Sequence, residues 1–583
     1  MFLIFLILLC DYSAFSVMPP KPGLCDDQGR IISTGTTYPG HIFNIEQPSY
    51  NLLTEGGKAP PTLHTGVILF DYADLVHSWN HTPSDYEQLL FSTSNPGSMY
   101  SFYQEISYGQ FTVTGTVTNW VQSYYPHTTY ALHYYGLEWI FDPYTQDQSI
   151  GVYMLVRDAV YLAESWGFDL NLLDQDGDHV AHGLFVVHAG PGAEATGDTT
   201  DVWSHKADAR ELCELIRQEY DPDCPYIVSR GCTLGVYSME PEMTDEGDLI
   251  TVGVFCHEFL HVLGAPDLYN TSSGSYVCGR FELMDAGSWN RLSGESPGMR
   301  PAHPSLWLKM LMGWVDPDSL ERETPGVPDE MIQATIDGAA TPVYPKVWRI
   351  LRNPGGVDWT DQSPGQGEYF LVENRSKTGF FEVALPDDGL AVWHVDESQP
   401  DNNDEEHRLV SLVLASGDPS TKTYGESGDL FSDNTMQLGT RELPSPYMWD
   451  GTPSGIKVLN ISPPGMVMHA DLEAGPVFLG RVFSYPNPFK KLSSGDFCRI
   501  KYQPIGRKTE GQYPTFRIII FNIAGEVVRV LDDPSEINPM GREAFWDGRN
   551  DSGDEVSSGM YLYIIELTPF TGERNFGRIT FIH

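Results

Sequence analysis

The 583-residue chain carries 79 Asp and Glu against 35 Lys and Arg, a formal net charge of −44. Such a charge repels nucleic acid and anionic lipid and sets both aside as partners. Hydrophobic residues at 41% and aromatics at 12% are enough for packed cores, and this length asks for roughly three to four domains.

The chain opens on Met1-Phe-Leu-Ile-Phe-Leu-Ile-Leu-Leu-Cys10. This run is too short to span a bilayer but fits the apolar core of a secretory signal. Ala14-Phe15-Ser16 offers small residues for cleavage, so residues 1–16 are expected to be a signal peptide and the protein to be secreted, extracellular or surface-associated. The Lys or Arg that usually precedes such a core is absent, and the bulky Leu9 argues against a lipid anchor on Cys10. No other stretch is apolar enough for a transmembrane helix. Residues 17–62 are rich in Pro and Gly with little periodicity, and read as a leader or pro-segment.

Strands are expected at Thr65–Asp71, Phe111–Val117 and Gly183–His188, and helices at Ser98–Ser107 and Gly151–Ser165. Together they suggest one α/β domain over residues 63–330. Short strands such as Glu368–Glu373 and Gly389–Val395 then predict a β-sandwich over 331–475, with a joint at Gly475-Pro476. The segments Phe516–Phe521 and Glu526–Leu531, around the turn Asn522–Gly525, predict a second sandwich over 476–583. Eight cysteines, less Cys10 in the signal, leave an odd number that cannot all pair within one chain. Cys213, Cys224 and Cys232 cluster closely enough for one disulfide in an oxidising compartment.

The segment His257-Glu-Phe-Leu-His-Val-Leu-Gly-Ala-Pro-Asp267 carries the chemistry. His257 and His261 stand at i and i+4 of an expected helix, which puts both imidazoles on one face, as zinc ligands require. Glu258 is placed to take a proton from a water on that metal. Gly264 and Pro266 stop the helix, so Asp267 can fold back as a third ligand and leave one coordination position open. Met284, in Glu282-Leu-Met-Asp-Ala-Gly287, suits a turn beneath the metal, and Glu282 is a rival, weaker third ligand. Taken alone, a five-residue His-Glu-x-x-His pattern is as readily a chance core helix.

The whole motif resembles the M6 metalloproteases, the immune inhibitor A-like group of metzincins. Gly97–Phe111, Val202–Lys206, Gly287–Asn290 and Trp393–Asp396 carry the same likeness across roughly residues 60–475. The last ligand is Asp267 where the general metzincin pattern has histidine, and Leu260 stands where the family commonly has glycine. The resemblance implies a metzincin-like zinc protease domain that cleaves internal bonds of protein or peptide substrates.

Asp174, Asp176 and Asp178 alternate as in calcium-binding loops, with His179 and His182 where further ligands are common. A structural calcium is expected there, against the plainer reading of a solvated acidic turn. Asp401-Asn-Asn-Asp404 is better read as a polar loop. Tyr485–Phe489, Phe545–Gly553 and Gly559–Tyr561 resemble the FlgD-like immunoglobulin domain. That likeness implies a spacer, an anchor or a signal read by secretion machinery. The contrasting function is a non-enzymatic surface-binding protein on a protease-like scaffold.

Overall fold

The computed structural model describes residues 15–22, 59–131, 134–137, 139–141, 148–219, 221–321, 327–333, 345–360, 363–416, 425–432, 438, 447–450, 454–474, 478–493, 495–505, 515–533, 535–538, 543–568 and 574–582. The apolar signal core, most of the leader including Cys25, and the Gly475-Pro476 joint lie outside them. Among the described residues no helix is long and apolar enough to cross a membrane.

A seven-stranded sheet supports the site. Its order is Phe15–Val17, His205–Asp208, Val236–Met243, Leu184–Pro191, Thr62–Asp71 and Thr112–Val117, with Val121–Gln122 added beside Thr62–Asp71. The pairings from Val236–Met243 to Thr112–Val117 are parallel. Leu184–Ala189 is buried throughout, which is why it reads as an unbroken apolar run and not as an alternation. His205–Asp208 runs antiparallel to Val236–Met243, and Phe15–Val17 pairs antiparallel with it in turn.

The helices match the sequence pattern closely. Gly151–Ser165 forms as expected, and the expected 98–107 helix forms over Met99–Ile106. Ser98 is its cap, accepting the Ser101 N–H at 3.1 Å. The motif helix, Val252–Val262, is buried along its whole length. Phe185 of the sheet lies 5.6 Å from both Phe255 and Phe259 on it. Tyr103 of the 99–106 helix donates its hydroxyl to the Cys256 carbonyl at 2.7 Å. Gly253 is required by contact: a Cβ there would lie 2.1 Å from the Ser288 carbonyl oxygen.

The chain divides into two compact units. The first takes in residues 1–319, 329–444 and 458–471. The middle β-segment, expected as a domain of its own, therefore clusters with the motif helix. Its sheet includes Trp348–Ile350, Glu368–Arg375, Gly389–Asp396 and Val410–Leu412, all antiparallel. The physical reason is a set of buried polar bonds that sequence patterning does not reveal. Arg375 donates to the carbonyls of Phe281 and His303 at 2.9 and 3.3 Å and is paired with Glu382 at 2.7 Å. Lys309 reaches Glu373 at 3.3 Å, and the Trp307 indole reaches Glu397 at 3.1 Å. Buried charges persist only when paired, so these contacts tie the segments together.

Most of the second unit is residues 472–583. One sheet runs Phe478–Tyr485, Cys498–Ile505, Glu543–Trp546, Ile537–Asn538, and another Phe489–Lys490, Arg574–Ile582, Gly559–Thr568, Thr515–Asn522, Val527–Leu531. Ile500 and Trp546 of the first share a core with Ile518, Ile520, Tyr563, Ile565 and Phe581 of the second. The two-residue spacing of Ile518 and Ile520, and of Tyr563 and Ile565, sets one face of each strand inward.

Among the three clustered cysteines, Cys213 and Cys224 are brought together, with sulfurs 3.4 Å apart and both side chains buried. Under oxidising conditions this pair should form a disulfide, worth up to about 3 kcal/mol by loop entropy. Peptide mapping after alkylation without reductant should find both thiols blocked to the reagent and joined. Ready labelling of both in the native oxidised protein would rule the bond out.

Candidate active site

The motif helix delivers two imidazoles with their orientation fixed. His257 Nδ1 bonds the Leu283 carbonyl at 2.9 Å and His261 Nδ1 bonds the Ala265 carbonyl at 2.8 Å. A carbonyl only accepts, so each Nδ1 carries the proton and each Nε2 presents a lone pair. The two Nε2 atoms face one another at 3.2 Å. The helix stops where expected: Leu263 is its last cap, and Gly264 takes a φ of +107°, which turns the chain back. Asp267 Oδ1 then lies 3.3 Å from His257 Nε2 and 3.1 Å from His261 Nε2. All three side chains are buried, and they form a group able to hold a metal ion.

Electrostatics sharpen the picture. Burial pushes the Asp267 carboxyl upward, but His261 and His257 outweigh it and hold the group below its usual range. Burial holds His261 below the ordinary histidine value. Glu258 is buried with neither carboxylate oxygen hydrogen-bonded. Burial first, then the nearby charges of Asp267, Glu240 and Glu194, push it well above the usual carboxyl range. An isolated carboxyl in such a place is costly unless something binds it. It stands beside the His-His-Asp cluster without being part of it.

Glu282, the rival ligand, is committed elsewhere. Its Oε1 accepts the Met284 N–H at 3.0 Å and its Oε2 the Ser305 N–H at 2.6 Å, and burial raises it to about 7. It shapes the turn at Met284, and that turn in turn supports Asp267: the Leu268 N–H donates to the Met284 carbonyl at 2.9 Å.

Two contributors escaped sequence reasoning. Asn402, in the run read as a polar loop, is fully buried. Its amide donates to the carbonyls of Leu268 and Val410, each at 2.8 Å, so a distant β-segment clamps the residue next to Asp267. Nothing in Asp-Asn-Asn-Asp marks one asparagine as interior. Glu240, on the strand Val236–Met243, is buried with neither oxygen hydrogen-bonded and raises Glu258 further. Two glutamates inside one strand, Val-Tyr-Ser-Met-Glu-Pro-Glu-Met, were the available signal.

Asp174, Asp176 and Asp178 do converge, with one oxygen from each within 4.8 Å of the others. Backbone amides already engage them: Gly177 and His179 donate to Asp174 at 2.8 and 3.1 Å, and Val180 donates to Asp178 at 2.8 Å. His182 belongs to the core. Its Nδ1 accepts the Val236 N–H at 3.1 Å, and burial lowers it to about 4.

A mixed sheet backing a helix with this His-His-Asp cluster and a free glutamate has the make-up of a metallopeptidase catalytic domain. Residues 71–315 match the family model "Immune inhibitor A peptidase M6, catalytic domain", which supports a metallopeptidase of the M6 type over that segment. It is 26% identical over 360 residues to Immune inhibitor A of Bacillus thuringiensis subsp. alesti, covering 55% of this chain and 46% of that protein. It is 25% identical over 358 residues to the pre-pro-metalloprotease PrtV of Vibrio cholerae serotype O1, covering 53% of this chain and 36% of that one. The match thus takes in less than half the length of either relative. Among solved structures, PorZ of Porphyromonas gingivalis, described as an essential surface component of the type-IX secretion system, aligns at 13% identity with a TM-score of 0.14. That alignment covers 43% of this chain and 25% of PorZ, a likeness too slight to bear on fold or role.

The geometry ranks the two acidic candidates. Asp267→Ala should lower metal content by more than the about 10–100-fold in affinity that loss of a merely orienting group costs. Glu282→Gln should leave metal content nearly unchanged. Elemental analysis of both purified variants checks this, and the opposite ranking would make Glu282 the ligand.

Proposed function

We propose that the chain is a secreted zinc endopeptidase in which His257, His261 and Asp267 hold the metal and Glu258 is the general base. The observation that carries the reading is the convergence of His257 Nε2, His261 Nε2 and Asp267 Oδ1, separated by 3.2, 3.3 and 3.1 Å. A tetrahedral ion about 2.0–2.1 Å from each ligand would space them by roughly 3.3 Å, so the donor set fits zinc. Asp267 Oδ1 has no hydrogen-bond donor of its own, as a ligand atom requires.

When bound, zinc would supply Lewis acidity, lowering the pKa of a water and polarising the scissile carbonyl. Glu258 would take the proton of the attacking water on a carboxylate oxygen and return it to the leaving amine. Its freedom from hydrogen bonds supports this, because a carboxylate already engaged by backbone donors is a poor base. The burial of the site excludes bulk water from that transfer. The three ligands and the glutamate are all present together, which weighs against a purely binding role for the scaffold.

The domain reading follows the same scheme: signal peptide 1–16, leader 17–62, catalytic domain 63–330, a middle β-domain 331–475 that supports it, and an immunoglobulin-type appendage from 476. Calcium at Asp174, Asp176 and Asp178 would stabilise the loop before the strand at Leu184. Recognition of the appendage by secretion machinery rests on the sequence likeness alone.

Glu258→Gln should keep its metal and lose about 10²–10⁴-fold in peptide-bond hydrolysis. Metal content and turnover of a protein substrate, measured on the same preparation, test it. Full activity with metal retained would remove Glu258 from the mechanism.

The appendage can be tested separately. Among the described residues its buried core runs from Phe489 to Phe581 with Val482 packed against it, so a chain ending at Ala474 should keep its peptidase rate within about twofold, as expected for a self-contained domain. Thermal melting and rate measurement on both lengths decide it. Loss of folding and of activity together would make the appendage part of the catalytic fold.

A further inference from the structure

The edge of the catalytic sheet is already occupied. Phe15–Val17 pairs antiparallel with His205–Asp208, in the register Phe15 with Ala207 and Val17 with His205. The chain then continues as Met18-Pro-Pro-Lys21. The Met18 N–H donates to the Ser204 carbonyl at 3.0 Å, and the Trp203 indole donates to the Met18 carbonyl at 2.8 Å. From the opposite side, the Trp289 indole donates to the Pro19 carbonyl at 3.1 Å and the Tyr276 hydroxyl to the Pro20 carbonyl at 3.0 Å. Tyr276 lies between Asp267 and Met284 in sequence, and Trp289 follows Met284. The segment therefore bridges the sheet edge and the turn that supports the metal cluster, and its strand lies against the motif helix.

These are the bonds by which an extended peptide is held: main-chain pairing to an open edge, then side-chain donors onto its carbonyls. They carry no sequence preference, since every peptide offers the same carbonyls. The side chain that does discriminate is at the far end. Lys21 places its ammonium 2.8 and 2.7 Å from the two oxygens of Asp245, while its own N–H donates to the Glu194 carbonyl at 2.8 Å. Asp245 stands on the turn Thr244–Gly247, between the strand Val236–Met243 and the motif helix. Asp245, Glu194 and Trp289 line one pocket with Met243, Ile250 and Pro297. The segment touches three of those six residues.

Resting on the peptidase reading above, we infer that Asp245 is a specificity residue, drawing the lysine or arginine side chain of a peptide substrate into the place that Lys21 holds. A substrate would reach the same donors by displacing residues 17–21, the part of this segment that remains once the proposed signal peptide 1–16 is removed. The carboxylate confers preference through charge, in a site whose other contacts are indifferent to sequence, and the strongly acidic chain favours approach of basic peptides.

Two measurements separate this inference from the peptidase reading. In the first, cleavage sites in a denatured proteome are profiled for the wild-type chain and for Asp245→Lys. Lysine and arginine should be enriched at one fixed position relative to the cut, by about fivefold over acidic residues, and the variant should lose that enrichment while still cutting. Cleavage by the wild type with no basic preference would overturn the inference and leave the peptidase standing. The second uses no catalysis. The full-length Lys21→Glu chain, whose own segment is weakened by like charges, is titrated with the peptide Met-Pro-Pro-Lys-Pro-Gly and with its Lys→Glu counterpart, followed by tryptophan fluorescence. The lysine peptide should bind about fivefold more tightly, and in the single Asp245→Lys chain, where Lys21 likewise faces a like charge, the order should reverse. Equal binding of the two peptides, or of neither, would overturn it even if no proteolysis is ever seen.

Discussion

Three electron-pair donors pointed at one another within 3.3 Å, in a buried place, are the constraint on which the catalytic unit depends. Two imidazole lone pairs and a carboxylate oxygen repel unless a proton or a cation lies between them. A proton can serve one pair only. The rest of the surrounding structure reads as the means of holding this arrangement. The Leu283 and Ala265 carbonyls fix both tautomers. Gly264 reverses the chain so that a carboxylate from beyond the helix returns to its face, and Gly253 lets the helix approach the Ser288 backbone.

The central parallel strands give this helix a dry floor through Phe185, and the 99–106 helix covers it through Tyr103. Rigidity there is what lets Glu258 remain without a hydrogen-bond partner. In a looser setting a buried carboxyl would turn toward the nearest donor. Glu240 adds a second buried carboxyl to the same neighbourhood, so the local potential opposes ionisation of either and favours a cation nearby.

What could be read from the sequence divides along physical lines. The helix Val252–Val262, its stop at Gly264 and the return to Asp267 follow from local rules: the i, i+4 spacing, glycine's tolerance of positive φ, and proline's missing N–H. Strands such as Leu184–Pro191 were visible because burial on both faces leaves an unbroken apolar run. Asn402 and Arg375 were not visible, because a buried polar residue looks in sequence like any surface one, and the partners that tie each to the site, Leu268 for Asn402 and Phe281 and His303 for Arg375, lie more than seventy residues away. The same blindness hides how 331–475 is attached to the site. Its strands announce themselves by alternation, whereas the bonds that attach them to the site announce nothing. The choice between Asp267 and Glu282 needed coordinates for a related reason: both are acidic residues near a turn, and only the Met284 and Ser305 amides show that one of them is already engaged.

The extent of the family match bears on where the functional unit ends. Residues 71–315 contain every proposed ligand and the base. They do not contain all that holds those groups in place. Leu268, next to Asp267, has its N–H on the Met284 carbonyl and its own carbonyl on Asn402. Phe281, just before the Met284 turn, gives its carbonyl to Arg375, which is neutralised by Glu382. An ion pair of this kind, almost fully buried, is weak evidence for stability in general, because desolvation costs about what attraction returns. Here its value lies in geometry, since a planar guanidinium donating to two carbonyls and one carboxylate admits a single arrangement of the three segments. The carboxylate of the cluster is thus positioned by residues more than a hundred positions further along the chain, and the smallest piece able to hold the cluster's geometry is larger than the segment that carries the motif.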